Sequence, residues 1–246
     1  IRVYCDTDVD GKHTGHDMGL ALKKRMDMGF TFLKMDLGLG ELFGEKGTIC
    51  APLGLVEEMN ASWGKMEQVK TPEEKRFWRN RNYDLYNVAH PFTGIHVTEK
   101  GFDMLEQYVK EVRDVIGYEI PLAIDHFGHI GVEDCIKLCR RIEKYNIAWA
   151  EDMIPWQYTD QYKRLSDATT VPICTGEDIY LAEGFEPLLQ NRAVSVIHPD
   201  ILTSGGILEN KRIGDLAQRH GVAMAVHMAE SPVSAYACVH SIAATE

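Results

Sequence analysis

Short apolar stretches alternate with amphipathic stretches over most of the chain. The apolar stretches end in polar residues, and the amphipathic ones carry apolar residues three or four positions apart. This alternation predicts parallel strands, buried on both faces, that are separated by helices. The predicted strands are residues 1–8, 30–38, 121–125, 146–152, 171–178, 193–200 and 221–227, and the predicted helices are 16–29, 98–117, 131–145, 159–168, 181–190 and 205–220.

The repeated unit predicts an α/β fold, namely a (β/α)₈ barrel of the TIM type. A length of 246 residues with 45% hydrophobic residues fits one such barrel. We therefore expect residues 1–246 to form a single catalytic barrel domain that contains strands 1–7. Because the chain begins and ends abruptly and no eighth strand is evident, we expect it to be a fragment of a longer protein.

Residues 39–97 interrupt the pattern. They are rich in glycine, tryptophan, asparagine, proline and charge, and they show no sustained period. We expect a long insertion without regular elements, of the kind that usually serves a function. Because it follows strand 2 it should lie near the mouth of the barrel, either as a lid or as an oligomer contact.

Charge and cysteine content narrow the classes of function. A net charge of −11 without a Lys/Arg-rich block argues against binding to nucleic acid. No apolar run is long enough to span a bilayer, so we expect no membrane association. The six cysteines form no CxxC pair, which favours a reduced, cytoplasmic protein.

Polar residues recur at the carboxyl ends of the predicted strands, and in a barrel these ends meet on one face. Asp125, Glu151 and Glu177 are spaced by 26 positions, one βα unit apart. One such acid alone would be taken for a helix cap or a surface group. Three that converge repel one another unless a cation lies between them, and oxygen ligands suit Mg²⁺, with Mn²⁺ as an alternative.

The next two strand ends carry Asp200 and His227. A carboxylate beside an imidazole fixes the tautomer of the ring and raises its basicity, as expected of a general base. Lys34 and Asp36 lie two apart on strand 2 and so share a side, where Lys34 could neutralise a substrate carboxylate. Further candidates for substrate binding are Tyr4, Asp6, His198 and Glu230.

These residues resemble the enolase superfamily, specifically its mandelate racemase/muconate lactonizing enzyme-like branch and the acid-sugar dehydratases within it. The matching segments are GFTFLKMDLG, IPLAIDHFGH, IAWAEDMIP, VPICTGED, VIHPDILTSGGI and GVAMAVHMAESPVSAYACVHSIAATE. The resemblance implies Asp125, Glu151 and Glu177 as metal ligands, Asp200 and His227 as the base dyad, and Lys34 as the first lysine of K-x-K. It also implies an N-terminal capping domain and a barrel strand 8, neither of which this sequence contains.

Two positions depart from the family pattern. Asp36 stands where the second lysine of K-x-K would act as the opposite base, and the usual D-x-N is Asp125-His126-Phe127. A single credible base favours removal of the proton α to a carboxylate followed by loss of water, which yields a 2-keto-3-deoxy acid. The departing hydroxyl could be protonated by His227, Lys34, His126 or His129.

The expected substrate is a small sugar acid, an aldonate or aldarate, and the expected assembly is a homo-oligomer. Two alternatives remain open. One is an epimerase, racemase or cycloisomerase that uses the same site, and the other is an inactive barrel that acts as a binding protein.

Overall fold

The computed structural model describes residues 1–9, 11, 13–86, 94–125, 130–229 and 231–245. Two sheets are present in these ranges. The main sheet has seven strands, and the second is a short antiparallel pair formed by β3 and β4. The strands are β1 (Cys5–Thr7), β2 (Leu33–Asp36), β3 (Ile49–Cys50), β4 (His96–Val97), β5 (Leu122–Asp125), β6 (Ile147–Glu151), β7 (Ile173–Thr175), β8 (Val196–Ile197) and β9 (Ala223–Met224).

Helices follow the strands of the main sheet, as the sequence pattern predicts. The helices are α1 (Gly15–Asp27), α2 (Leu55–Gln68), α3 (Pro72–Tyr86), α4 (Glu99–Ile116), α5 (Val132–Ile142), α6 (Thr159–Ala168), α7 (Leu181–Gln190), α8 (Ile207–Arg219) and α9 (Pro232–Ala243). No described helix has the length and apolarity needed to cross a membrane.

The strand order β1-β2-β5-β6-β7-β8-β9 is parallel throughout. Four strands separate β1 from β8, yet the hydroxyl of Tyr4, just before β1, lies 2.8 Å from Nε2 of His198, just after β8. The sheet must curl to bring these atoms together. The fold is therefore a partial (β/α)₈ barrel with seven strands among the described residues, which confirms the predicted fold class.

Apolar residues fill both sides of the curled sheet. Outward-facing strand residues such as Met35 and Ile124 pack against the helices in one large core, whereas Ala123, Trp149 and Cys174 form a small core inside the barrel. In α5 the buried residues fall three or four positions apart, so one face of the helix covers the sheet. Burial on both faces explains why the strands are apolar up to their polar carboxyl ends.

The expectation that residues 39–97 lack regular elements is wrong. They contain α2 and α3, and β3 pairs with β4 so that the two ends of the insertion lie side by side. Helix α3 has a capping box: Thr71 Oγ1 accepts a hydrogen bond from the Glu74 N–H, and the Glu74 carboxylate accepts one from the Thr71 N–H. Seven of its fifteen residues are charged, and none of the side chains described, at 72–81, is buried, so the sequence shows no helical period.

Candidate active site

Three strand ends place carboxylates side by side. In the register of the sheet, Asp36 on β2 is level with Asp125 on β5, and Asp125 is level with Glu151 on β6. Side chains that are level on neighbouring parallel strands point to the same face, which here is the interior of the barrel. The structure thus brings these three predicted site residues into one row.

Lys34 lies between two of these carboxylates. Its Nζ is 2.8 Å from Asp125 Oδ2 and 3.1 Å from Glu151 Oε1, and Asp6 Oδ2 is 3.8 Å away. Burial alone would lower the pKa of the ammonium group, but the charges of Asp125 and Glu151 outweigh burial and raise it. Lys34 is therefore a fixed, buried cation.

Glu151 is held by further donors inside the barrel. The indole Nε1 of Trp149 donates to Glu151 Oε2 at 2.8 Å, and Nδ1 of His198 contacts Glu151 Oε1. Burial acts against ionisation of Glu151, but the contacts with His198 and Trp149 and the charge of Lys34 lower its pKa to about 2. Burial also lowers the pKa of His198, so its ring acts as a neutral donor. Glu151 therefore stays ionised and cannot rotate freely.

His227 and Asp200 form the expected pair. Nδ1 of His227 lies 2.8 Å from Asp200 Oδ2, and the other oxygen of Asp200 accepts a 2.7 Å hydrogen bond from the Leu202 N–H. Nε2 of His227 lies 3.2 Å from Glu177 Oε2. Both ring nitrogens thus face carboxylates. Asp200 orients the ring through the shorter contact, at Nδ1, so Nε2 is the nitrogen placed to exchange a proton with a ligand.

Glu177 differs from the other two predicted ligands. Burial raises its pKa to about 7; the charge of His227 opposes this rise, and that of Asp125 adds to it. Among the residues that the structure describes, the carboxylates grouped within 4.8 Å of one another are Asp125, Glu151 and Asp152. Glu177 is not in this group, since its carboxylate contacts the imidazole instead.

The donor set fits a divalent cation. Asp125 is 3% exposed, and its Oδ1 has no hydrogen-bond partner among the described residues. A buried carboxylate oxygen without a partner is costly in a folded protein. Neighbouring carboxylate oxygens with one such free oxygen are the ligands that Mg²⁺ prefers.

Asp36 lies close to other negative charges. Burial raises its pKa to about 7, and the charges of Asp6 and Asp125 add to this effect while Lys34 opposes it. A carboxyl group with this pKa is partly protonated at neutral pH. Unlike a lysine, it adds no positive charge to this side of the site.

The predicted substrate-binding residues fall in different surroundings. Asp6 is exposed at the mouth of the barrel, where a ligand could contact it. His198 is fully buried between Tyr4 and Glu151, so both of its ring nitrogens already have partners. His126, His129 and Glu230 lie outside the described residues.

Sequence reasoning missed Asp152. It follows Glu151 directly, has a backbone φ of +45°, and accepts a 2.5 Å hydrogen bond from Thr175 Oγ1. The sequence does show a Glu-Asp pair at the end of the predicted strand. Side chains alternate between the two faces of a strand, however, and this alternation assigns the second acid to the outer face. The left-handed backbone at Asp152 changes that direction.

Comparison with known proteins identifies the family of the chain. A family profile described as "Enolase C-terminal domain-like" matches residues 83–246, which is more than half of the chain. The chain belongs to the enolase C-terminal domain-like family. The resemblance inferred from the sequence motifs is therefore confirmed at the level of the family.

Curated relatives of this family member are sugar-acid dehydratases. It is 30% identical over 174 residues to an arabinonate dehydratase of Saccharolobus solfataricus, a match that covers 70% of this chain and 47% of the relative. It is 31% identical over 150 residues to a D-xylonate dehydratase of Haloferax volcanii, covering 61% of this chain and 36% of the relative. The chain thus spans less than half the length of either relative.

Solved structures show the same fold. A mandelate racemase/muconate lactonizing enzyme-like protein from Rubrobacter xylanophilus superimposes with a TM-score of 0.75 at 22% identity, covering 100% of this chain and 55% of the other. The 3,6-anhydro-D-galactonate cycloisomerase of Zobellia galactanivorans gives a TM-score of 0.67 at 24% identity, covering 100% and 52%. At this level of identity the likeness establishes the barrel and not the reaction.

Proposed function

We propose that this chain is the catalytic barrel of a metal-dependent sugar-acid dehydratase. The reaction would remove the proton α to the carboxylate of an aldonate or aldarate and expel the β-hydroxyl as water, giving a 2-keto-3-deoxy acid. The observation that carries the proposal is the His227–Asp200 pair, which faces Glu177 beside the buried Asp125–Glu151 cluster. The names of the curated relatives support the same reaction class.

Asp125, Glu151 and Glu177 would hold one Mg²⁺, for which Mn²⁺ could substitute. The partnerless Oδ1 of Asp125 and the ionised state of Glu151 support this assignment. Glu177 would have to release His227 in order to join the other two. When bound, the ion would supply positive charge beside the substrate carboxylate, where negative charge develops as the α-proton leaves.

His227 would take the α-proton through Nε2. Its Nδ1–H donates to Asp200, which orients the ring and stabilises the imidazolium that forms. Lys34, which is buried and charged, would add positive charge opposite the base. Its raised pKa makes it a poor proton donor, so among the described candidates His227 itself is best suited to return the proton to the departing hydroxyl.

The alternative reactions are isomerisations that use the same base. Racemisation by two bases needs a second base opposite His227, and Asp36 stands where the family has a lysine. Asp36 therefore favours elimination over racemisation.

The test uses the purified whole protein with Mg²⁺ and a library of aldonates and aldarates. Dehydration predicts a semicarbazide-reactive keto acid with at least one substrate, and His227→Asn should abolish it. Assays in D₂O separate the isomerase alternative, since epimerisation labels the α-carbon of recovered substrate without forming a keto acid. A protein that binds Mg²⁺ but yields neither outcome with any sugar acid would contradict the proposal and favour an inactive barrel that serves in binding.

Further proposals concern the setting of the enzyme. Residues 1–246 would act as one catalytic domain, with residues 39–97 serving as a lid or as a contact between copies in a homo-oligomer. The protein would bind a small carboxylate and would bind neither nucleic acid nor a membrane. All six cysteines are free, which supports a reduced compartment such as the cytoplasm.

A further inference from the structure

Asp152 lies among the carboxylates of the candidate metal site, although the resemblance described in the sequence gives it no role. One oxygen each of Asp125, Glu151 and Asp152 lie within 4.8 Å of one another. The left-handed backbone at Asp152, with φ +45°, turns the residue after the strand toward this group. Residues other than glycine adopt that conformation uncommonly, so the surrounding structure must hold Asp152 in it.

The positive charge around these oxygens is unevenly distributed. Lys34 makes ion pairs with Asp125 and with Glu151. Over the described ranges, no lysine, arginine or histidine makes an ion pair with Asp152, whose recorded side-chain partner is the neutral hydroxyl of Thr175. The nearby Oδ1 of Asp125 also lacks a partner. Among the described residues, the side of the cluster that faces Asp152 therefore lacks a balancing cation.

We propose that Asp152 is a fourth carboxylate of the divalent-cation site and strengthens cation binding through its negative charge. The inference rests on the metal ion of the proposed function, but it does not depend on which substrate is used. Thr175 is a positioning residue in this scheme, because its hydroxyl fixes one oxygen of Asp152.

The experiment measures the binding of Mn²⁺ alone, by calorimetry or electron paramagnetic resonance, to the whole protein without substrate. Asp152→Asn removes the charge but keeps an oxygen that can accept from Thr175. Asp178→Asn is the matched control, since Asp178 follows Glu177 as Asp152 follows Glu151 but is exposed. Thr175→Val removes the hydrogen bond and keeps the charge. Thermal stability in EDTA is recorded for each variant.

The expected result is a Kd for Mn²⁺ that rises roughly 10- to 100-fold in Asp152→Asn and stays unchanged in Asp178→Asn. In EDTA, Asp152→Asn should be at least as stable as the parent, because the amide replaces a carboxyl group whose ionised form Asp125 and Glu151 repel. A parental Kd in Asp152→Asn overturns the inference, as does an equal loss of affinity in Asp178→Asn. If Asp152→Asn fails to fold, Asp152→Ser is measured instead and judged by the same criteria.

The outcomes separate this inference from the proposed function. A parent protein that binds Mn²⁺ but dehydrates no sugar acid leaves the role of Asp152 intact and removes the dehydratase assignment. If the parent dehydrates a sugar acid and Asp152→Asn binds Mn²⁺ with the parental Kd, the dehydratase assignment stands and the role of Asp152 is overturned.

Discussion

Replacing Lys34 with methionine tests the charge balance of the site without any substrate. Lys34 is 2% exposed, and the side chains of Asp125 and Glu151 that it contacts are 4% and 0% exposed. Loss of one partner from a buried ion pair leaves an uncompensated charge, which costs about 3–5 kcal/mol. For a domain of this size each kcal/mol shifts the melting temperature by roughly 2–4 °C, so a fall of roughly 6–20 °C is expected for Lys34→Met in EDTA.

Differential scanning fluorimetry with EDTA or Mg²⁺ measures this effect. Mg²⁺ should stabilise Lys34→Met more than the parent, because the ion supplies the positive charge that the lysine no longer provides. The control is Lys163→Met, which removes an exposed pair with Asp167 worth about 0.3–0.5 kcal/mol. A melting temperature in EDTA equal to that of the parent, or a magnesium response no larger than the parent's, would refute the reasoning.

Three further changes probe the site and the fold. The pKa of Asp36 is about 7 when folded and near 3.9 when unfolded, so its carboxyl destabilises the fold as pH rises between these values. In EDTA at pH 8, urea titration should therefore give Asp36→Asn a free energy of unfolding about 1–2 kcal/mol above that of the parent, after solvent screening. Near pH 4 the two proteins should be equally stable. Equal stability of the two proteins at both pH values would contradict this. Asp200→Asn should lower kcat/KM roughly 100- to 10,000-fold with unchanged Mn²⁺ affinity, because His227 loses its orienting acceptor, and near-parental kinetics would argue against the dyad. Gly15→Ala should lower the free energy of unfolding in urea by about 1–3 kcal/mol, since its Cβ would lie 2.2 Å from the Tyr108 carbonyl oxygen. The control Gly64→Ala, in open space on α2, should raise it by about 0.5–1 kcal/mol. Similar values for both variants would contradict the packing described.

The barrel could be predicted from sequence because its strands are buried on both faces. Leu122, Ala123 and Ile124 are all buried, so neither face of their strand is exposed to solvent. In the sequence such a strand is a continuous apolar run that ends in an acid, and this pattern predicts a parallel strand. Helices α2 and α9 were missed for other reasons. In α2 the side chains described are mostly at least partly exposed, and α9 is largely apolar, so neither has the two-faced pattern on which the prediction relied.

The side chains that gather at the site could be predicted in part. Strand-end position places Asp125, Glu151 and His227 on one face, because parallel strands share a direction. Whether Glu177 faces the acids or the imidazole depends on the loop after β7, which strand periodicity does not describe. The direction of Asp152 depends on one left-handed backbone angle, and periodicity assumes that no such angle occurs.

The hydrogen bond from Trp149 to Glu151 has an optical consequence. The indole is 5% exposed, stacks on Phe32 with ring centroids 4.6 Å apart, and points its N–H at a predicted ligand. Indole emission depends on the electric field across the ring, and a cation arriving at that carboxylate changes this field. The barrel interior thus contains a fluorescent reporter, held in a fixed orientation, whose colour and intensity follow the charge state of the site.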